Sequence, residues 1–138
     1  MSIFPAAGFA ATAPARALPL AREVRFDLDR CVPVFRGGVP LYVEGRDAVA
    51  VWACKALHTW RYRHPIYSPG YGNDVWQLIG QAYTEALKTS EAARYVRECL
   101  LVSPYITEVG PVTVDFDDSD LRIDATITTI YGEVTLHV

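Results

Sequence analysis

The sequence predicts an α+β fold: three helices packed on a small, mostly antiparallel sheet, with an N-terminal arm and C-terminal β-strands. Three observations carry this. Apolar and polar residues alternate with a period of two in residues 24–28 and again from 112 to the end. In residues 47–58 and again between 73 and 101 the apolar residues recur at helical spacing instead. Ahead of both lies a stretch rich in alanine and proline that has little to bury.

Residues 1–20 are read as that extended arm, and residues 21–138 as one α+β domain, since 138 residues suffice for a single hydrophobic core. Val24, Phe26 and Leu28 alternate with Arg25, Asp27 and Asp29, as a half-buried strand requires. Asp29-Arg30 turns the chain before a strand at 32–35. Gly37-Gly38 turns it again before Leu41–Val43, completing a small antiparallel meander. The first helix opens at Glu44-Gly45-Arg46-Asp47, with Asp47 capping it or favouring its first turn. Ala48, Val51, Trp52, Lys55 and Ala56 follow at helical spacing, Trp52 as a core residue, and the helix ends near Thr59. Asn73 or Asp74 caps a second helix whose apolar face is Val75, Trp76, Leu78, Ile79, Ala82 and Tyr83, running towards Leu87 with Gly80 as its weak point. Ser90 starts a third, with Ala92, Tyr95, Val96, Cys99 and Leu100 as one stripe and Arg94 paired to Glu98. Pro104 ends it. Two strands then meet at the polar turn Asp117-Asp118-Ser119-Asp120. Leu121, Ile123, Ala125 and Ile127 share one face, and after Tyr131-Gly132-Glu133 the alternation resumes with Val134, Leu136 and Val138.

Between the first two helices lies the most distinctive stretch, residues 58–72. It holds Trp60, Tyr62, Tyr67 and Tyr71 with Arg61 and Arg63, while Pro65, Pro69, Gly70 and Gly72 keep it from continuing the helix. Tyrosine, tryptophan and arginine dominate protein interfaces. Two readings stand side by side: the rings fill a core beside a turn, or the segment meets a partner. On the second, the candidate interface residues are Thr59, Trp60, Arg61, Tyr62, Arg63, Tyr67, Tyr71 and Gly72.

Other chemistry is thin. A net charge of −3 gives no basic footprint for nucleic acid. The first residues lack the basic start of a secretory signal, and no window suits a membrane span, so a soluble, unsecreted chain is expected. Cys31, Cys54 and Cys99 share no metal-ligand spacing, and their odd number argues against a disulfide framework. His58 and His64 have no carboxylate or cysteine at ligand spacing, and Cys54 four residues before His58 reads as a packed thiol. Asp115, Asp117, Asp118 and Asp120 lack the glycine and glutamate of a calcium loop. Ser68 is not in a nucleophile elbow. No cofactor, no metal and no enzymatic activity are expected.

Leu57-His58-Thr59-Trp60-Arg61-Tyr62-Arg63, then Ile66-Tyr67-Ser68 and Tyr71-Gly72, resembles the PBSX-like phage baseplate proteins of the lysozyme-like baseplate wedge, or sheath-initiator, family of contractile tails. So do Phe4-Pro5, Leu18-Pro19-Leu20, Glu44-Gly45, Leu78-Ile79-Gly80, Ser103-Pro104-Tyr105-Ile106 and Thr129-Ile130-Tyr131-Gly132-Glu133, so that the likeness spans nearly the whole chain. One departure stands out. The family commonly has glutamate before the arginine that matches Arg61, and here that place is Trp60. The resemblance implies a structural component of a phage or tailocin baseplate, assembled in the bacterial host cytoplasm, in several copies around the tail tube. It would join other wedge proteins and initiate the sheath by strand exchange, with residues 121–138 supplying the open edge. It also adds Tyr131, Gly132 and Glu133 to the candidate interface. The alternative, which the family's historical label suggests, is a small peptidoglycan hydrolase.

Overall fold

The protein was studied as a computed structural model, which describes residues 17–117 and 120–138. Most of the expected arm, residues 1–16, and the tip of the acidic turn, Asp118-Ser119, lie outside the described residues. Residues 17–20 run without regular structure, tied down where the Tyr105 hydroxyl donates to the Pro19 carbonyl at 2.8 Å.

The expected meander is present as a folded ribbon of short antiparallel strands. β1 (Arg22–Val24) pairs with β6 (Tyr42–Glu44), β2 (Phe26–Asp27) with β3 (Val32–Pro33), and β4 (Phe35–Arg36) with β5 (Val39–Pro40). Where the three pairs meet, the backbone closes a ring of hydrogen bonds. Arg25 N donates to the Leu41 carbonyl at 2.7 Å, Leu41 N to Val34 at 3.0 Å, and Val34 N to Arg25 at 2.8 Å. This triangular junction lets three strands of only five or six residues satisfy one another without a wide sheet.

Helix α1 (Arg46–His58) is the centre of the fold. Gly45 is its N-cap residue at φ 66°, and its N–H reaches back to the Ala21 carbonyl, with Asp47 in the first turn. Ala48, Val49, Ala50, Val51, Ala53, Cys54, Ala56 and Leu57 are all buried, so the helix is apolar nearly all round, as an enclosed helix must be. Its alanines let β1, β6, the C-terminal strand Gly132–His137 and α2 (Glu85–Leu101) approach closely. Trp52 is half-buried at the rim, edge-on to Tyr71 at 5.9 Å, rather than in the core as expected.

Among the described residues the helix count is two, not three. The expected helix from Asn73 to Leu87 is a single 3₁₀ turn, Val75–Leu78, followed by extended chain. Val75 and Leu78, three apart, are buried, but Ile79, Ala82 and Tyr83 are exposed, so no longer apolar face exists to support a helix. Gly80 stands at φ +78°, the left-handed conformation that ends helices. Thr84 then caps α2, its side chain accepting from Leu87 N, so this helix begins before Ser90. Arg94 does pair with Glu98, at 2.8 Å, and also with Glu91.

The C-terminal strands form one antiparallel sheet in the order β7 (Ile106–Asp117), β8 (Asp120–Thr129), β9 (Gly132–His137). Ile123, Ala125 and Ile127 face the core with Val114 and Leu136, as the alternation requires. Fully burying an isoleucine or leucine contributes about 1.5–3 kcal/mol. Register slips between Val109 and Val112, at Gly110-Pro111. Among the described residues, no helix is long and apolar enough to cross a membrane.

Candidate partner interface

Residues 59–73 form a loop closed at its neck. Asn73 N donates to the Thr59 carbonyl at 2.8 Å and Arg61 N to Asn73 at 3.4 Å, a short parallel bridge between Trp60 and Asn73. The Asn73 side chain, fully buried, donates to the Leu57 carbonyl at the end of α1 and accepts from Val75 N. It thereby satisfies a helix-end carbonyl and the first N–H of the 3₁₀ turn together. Gly72 at φ +112° lets the two strands of the neck touch.

Arg61 closes the loop from inside. Its Nε donates to the Pro69 carbonyl at 2.8 Å and its NH1 lies 3.1 Å from Asp74, with both side chains largely covered. The arginine whose preceding residue is Trp60 rather than glutamate thus finds a carboxylate thirteen positions on. Trp60 stacks instead on Trp76 at 5.8 Å, under the Arg63 guanidinium. Arg61→Ala should therefore lower stability by about 2 kcal/mol, the scale for losing charge-assisted bonds in a partly covered site. Thermal unfolding of the purified variant measures this.

Outward, the loop presents Trp60, Tyr62, Ile66 and Tyr67, which are 44%, 67%, 87% and 50% exposed. Tyr62 holds φ +65°, uncommon for a residue with a bulky side chain, and its ring lies under Arg61. Tyr67 leans on Tyr71 at 4.8 Å, and Tyr71 in turn on Trp52. Burial pushes the Tyr71 phenol up from its ordinary value. The rings are consequently divided, with Tyr71 anchored to the body and Trp60, Tyr62 and Tyr67 towards solvent.

Tyr131, Gly132 and Glu133 do not join this loop. The Tyr131 hydroxyl accepts from Ala21 N at 3.0 Å, its ring stacks on Tyr105, and it lies beside Gly45 at the start of α1. Thr59 follows the other end of the same helix, about 20 Å away for thirteen residues. Glu133 is exposed on β9.

The expected open edge, residues 121–138, needs correction. β8 is the central strand, paired on both sides, and β9 alone of this segment has an outer edge not used by another strand among the described residues. Val138 and Ile123 exchange both backbone bonds, at 2.7 and 2.9 Å. By antiparallel alternation Glu133, Thr135 and His137 then direct their N–H and C=O groups outward. A groove of about 150 Å³ separates this edge from the β2–β3 turn at Leu28-Asp29.

Sequence reasoning missed two features. The ribbon exposes Val32, Phe35, Val39 and Tyr42, and its alternation was the only available signal. The grooves beside α1, about 440 and 430 Å³, carry Glu23 as their acidic side chain, held by Lys55 at 2.6 Å, whereas glycoside hydrolysis uses paired carboxylates. Cys54 and Cys99 are buried free thiols, as expected, and burial pushes them up to about 11 and about 12, with Cys31 adding to the shift at Cys54.

A small fold that braces an aromatic loop and, among the described residues, leaves the outer edge of β9 without a strand partner has the features of a protein built for contacts. Residues 22–132 match the family model of contractile injection system sheath initiators, and the chain belongs to that family. It is therefore a structural component of a contractile injection system. No curated protein matches the chain.

Proposed function

We propose that this chain joins the wedge proteins of a contractile-tail baseplate through its aromatic loop and starts the sheath through the outer edge of β9. The particle is a phage tail or a tailocin of the PBSX-like type, assembled in the host cytoplasm, with several copies of the chain around the tail tube. Residues 21–138 act as one domain. The observation that carries this reading is the division of labour in the loop. Arg61, Gly72 and Asn73 hold its neck closed, so Ile66 and Tyr62 are presented without being needed by the fold.

Ile66→Asp tests it. The side chain is almost wholly exposed, so the melting curve should stay within about 0.5 kcal/mol of the parent. Co-expression with the wedge proteins of the same particle should nevertheless fail to recover a complex. Undiminished wedge assembly in this variant would refute the loop as the contact.

A further inference from the structure

We propose that Cys31, Cys54 and His58 form a zinc-binding site that staples the β-ribbon to helix α1. The three residues come from two places. Cys54 and His58 lie one turn apart on α1, and Cys31 sits in the turn between β2 and β3. Each offers one ligand atom, and the three atoms lie within 4.8 Å of one another. The Cys31 sulfur is 3.8 Å from His58 Nδ1, and the Cys54 sulfur is 3.7 Å from it. Around a tetrahedral zinc with Zn–S of about 2.3 Å and Zn–N of about 2.0–2.1 Å, such ligands stand roughly 3.6 Å apart. The two sulfur-to-Nδ1 separations need little adjustment, and the two sulfurs lie within 4.8 Å of each other.

The backbone delivers Cys31 to this place by an unusual route. Asp27 accepts from the N–H groups of Asp29 and Arg30, curling the chain, and Cys31 then adopts φ +52°, a conformation few residues other than glycine take up. His58 Nδ1 rests 2.9 Å from the Cys54 carbonyl, and the ring is exposed. At that distance Nδ1 carries the proton and donates to the carbonyl; to take the ion it gives up this bond, and the exposed ring carries its proton on Nε2 instead. Two thiols and one imidazole are a ligand set that selects zinc over the hard cations. On binding, both thiols release their protons to solvent, the two thiolates neutralise the ion, and the fourth position is left to water. Cys54 also lines the groove between the β2–β3 turn and β9, so a bound ion would fix that turn beside the open edge.

The test uses the full-length, tag-free chain, reduced and then given zinc alone. One zinc per chain should survive desalting, measured by elemental analysis. Cobalt(II) in its place should give thiolate charge-transfer absorption and the intense visible bands of a tetrahedral site. Cys31→Ser and His58→Gln should each weaken zinc binding at least about tenfold. Zinc should also slow proteolytic cleavage within residues 27–40 of the parent but not of Cys31→Ser, a readout that a bystander cysteine would not move. The proposal is overturned if the reduced chain retains no zinc, or if both variants bind it as the parent does. A Cys31–Cys54 disulfide in protein purified without reductant, with no zinc uptake after reduction, overturns it equally.

Discussion

Gly72→Ala should destabilise the protein by about 3 kcal/mol or more, the largest single loss expected outside the core. Two effects add. At φ +112° any side chain is strained, a cost on the order of 1–3 kcal/mol. A Cβ there would also stand 2.8 Å from Arg61 N, 2.9 Å from Arg61 Cα and 3.0 Å from the Thr59 carbonyl, all of them backbone atoms that cannot swing aside. Relief requires the neck to open, which breaks the Asn73-to-Thr59 bond and pulls the Asn73 side chain from the Leu57 carbonyl. Denaturant unfolding of the variant measures the loss. Gly80→Ala is the control: it shares the positive φ, but nothing lies within 4 Å of its added methyl, so it should cost only the conformational part. Equal losses in the two variants would show that the neck's close approach is unimportant.

Thr135→Pro should abolish sheath growth while leaving the baseplate complete. Proline removes one N–H, and at Thr135 that N–H points to the outer edge of β9, away from the β8 ladder. The fold therefore keeps its internal hydrogen bonds, while an incoming strand loses a donor and meets the ring. Truncating the chain from residue 133 would be a poorer experiment, because it removes buried Leu136 and the Val138–Ile123 backbone pair. Electron microscopy of particles carrying Thr135→Pro should show baseplates with bare tubes. Full-length sheaths on particles with this variant would rule out strand addition at β9. A proline at Leu136, whose N–H lies in the ladder, should instead unfold the sheet.

The two experiments separate the roles of the two candidate surfaces. The loop neck is a stability element, so its loss appears in the purified chain. The β9 edge is the contact we propose, so its loss should appear only in the particle. Arg61 belongs with the neck, because its guanidinium is already engaged by Pro69 and Asp74.

What the sequence by itself determined was whatever depends on neighbours along the chain. The two-residue alternation placed Ile123, Ala125, Ile127 and Leu136 on one face, and the helical recurrence of Ala48, Val51, Trp52 and Ala56 placed α1. Gly37-Gly38 and the Asp29-Arg30 turn placed the ribbon's bends. Tertiary structure decided the rest. Whether Val75–Tyr83 formed a helix depended on how much apolar surface the body offered it, and only Val75 and Leu78 found burial. Asp74 as the partner of Arg61, and Cys31 beside Cys54 and His58, are pairings across thirteen and more than twenty residues. β8 lies inside the sheet and β9 at its margin, although their alternation is the same. Periodicity reports which side of a segment is apolar, but which groups meet depends on chain reversals elsewhere, and those leave no mark on the segment itself.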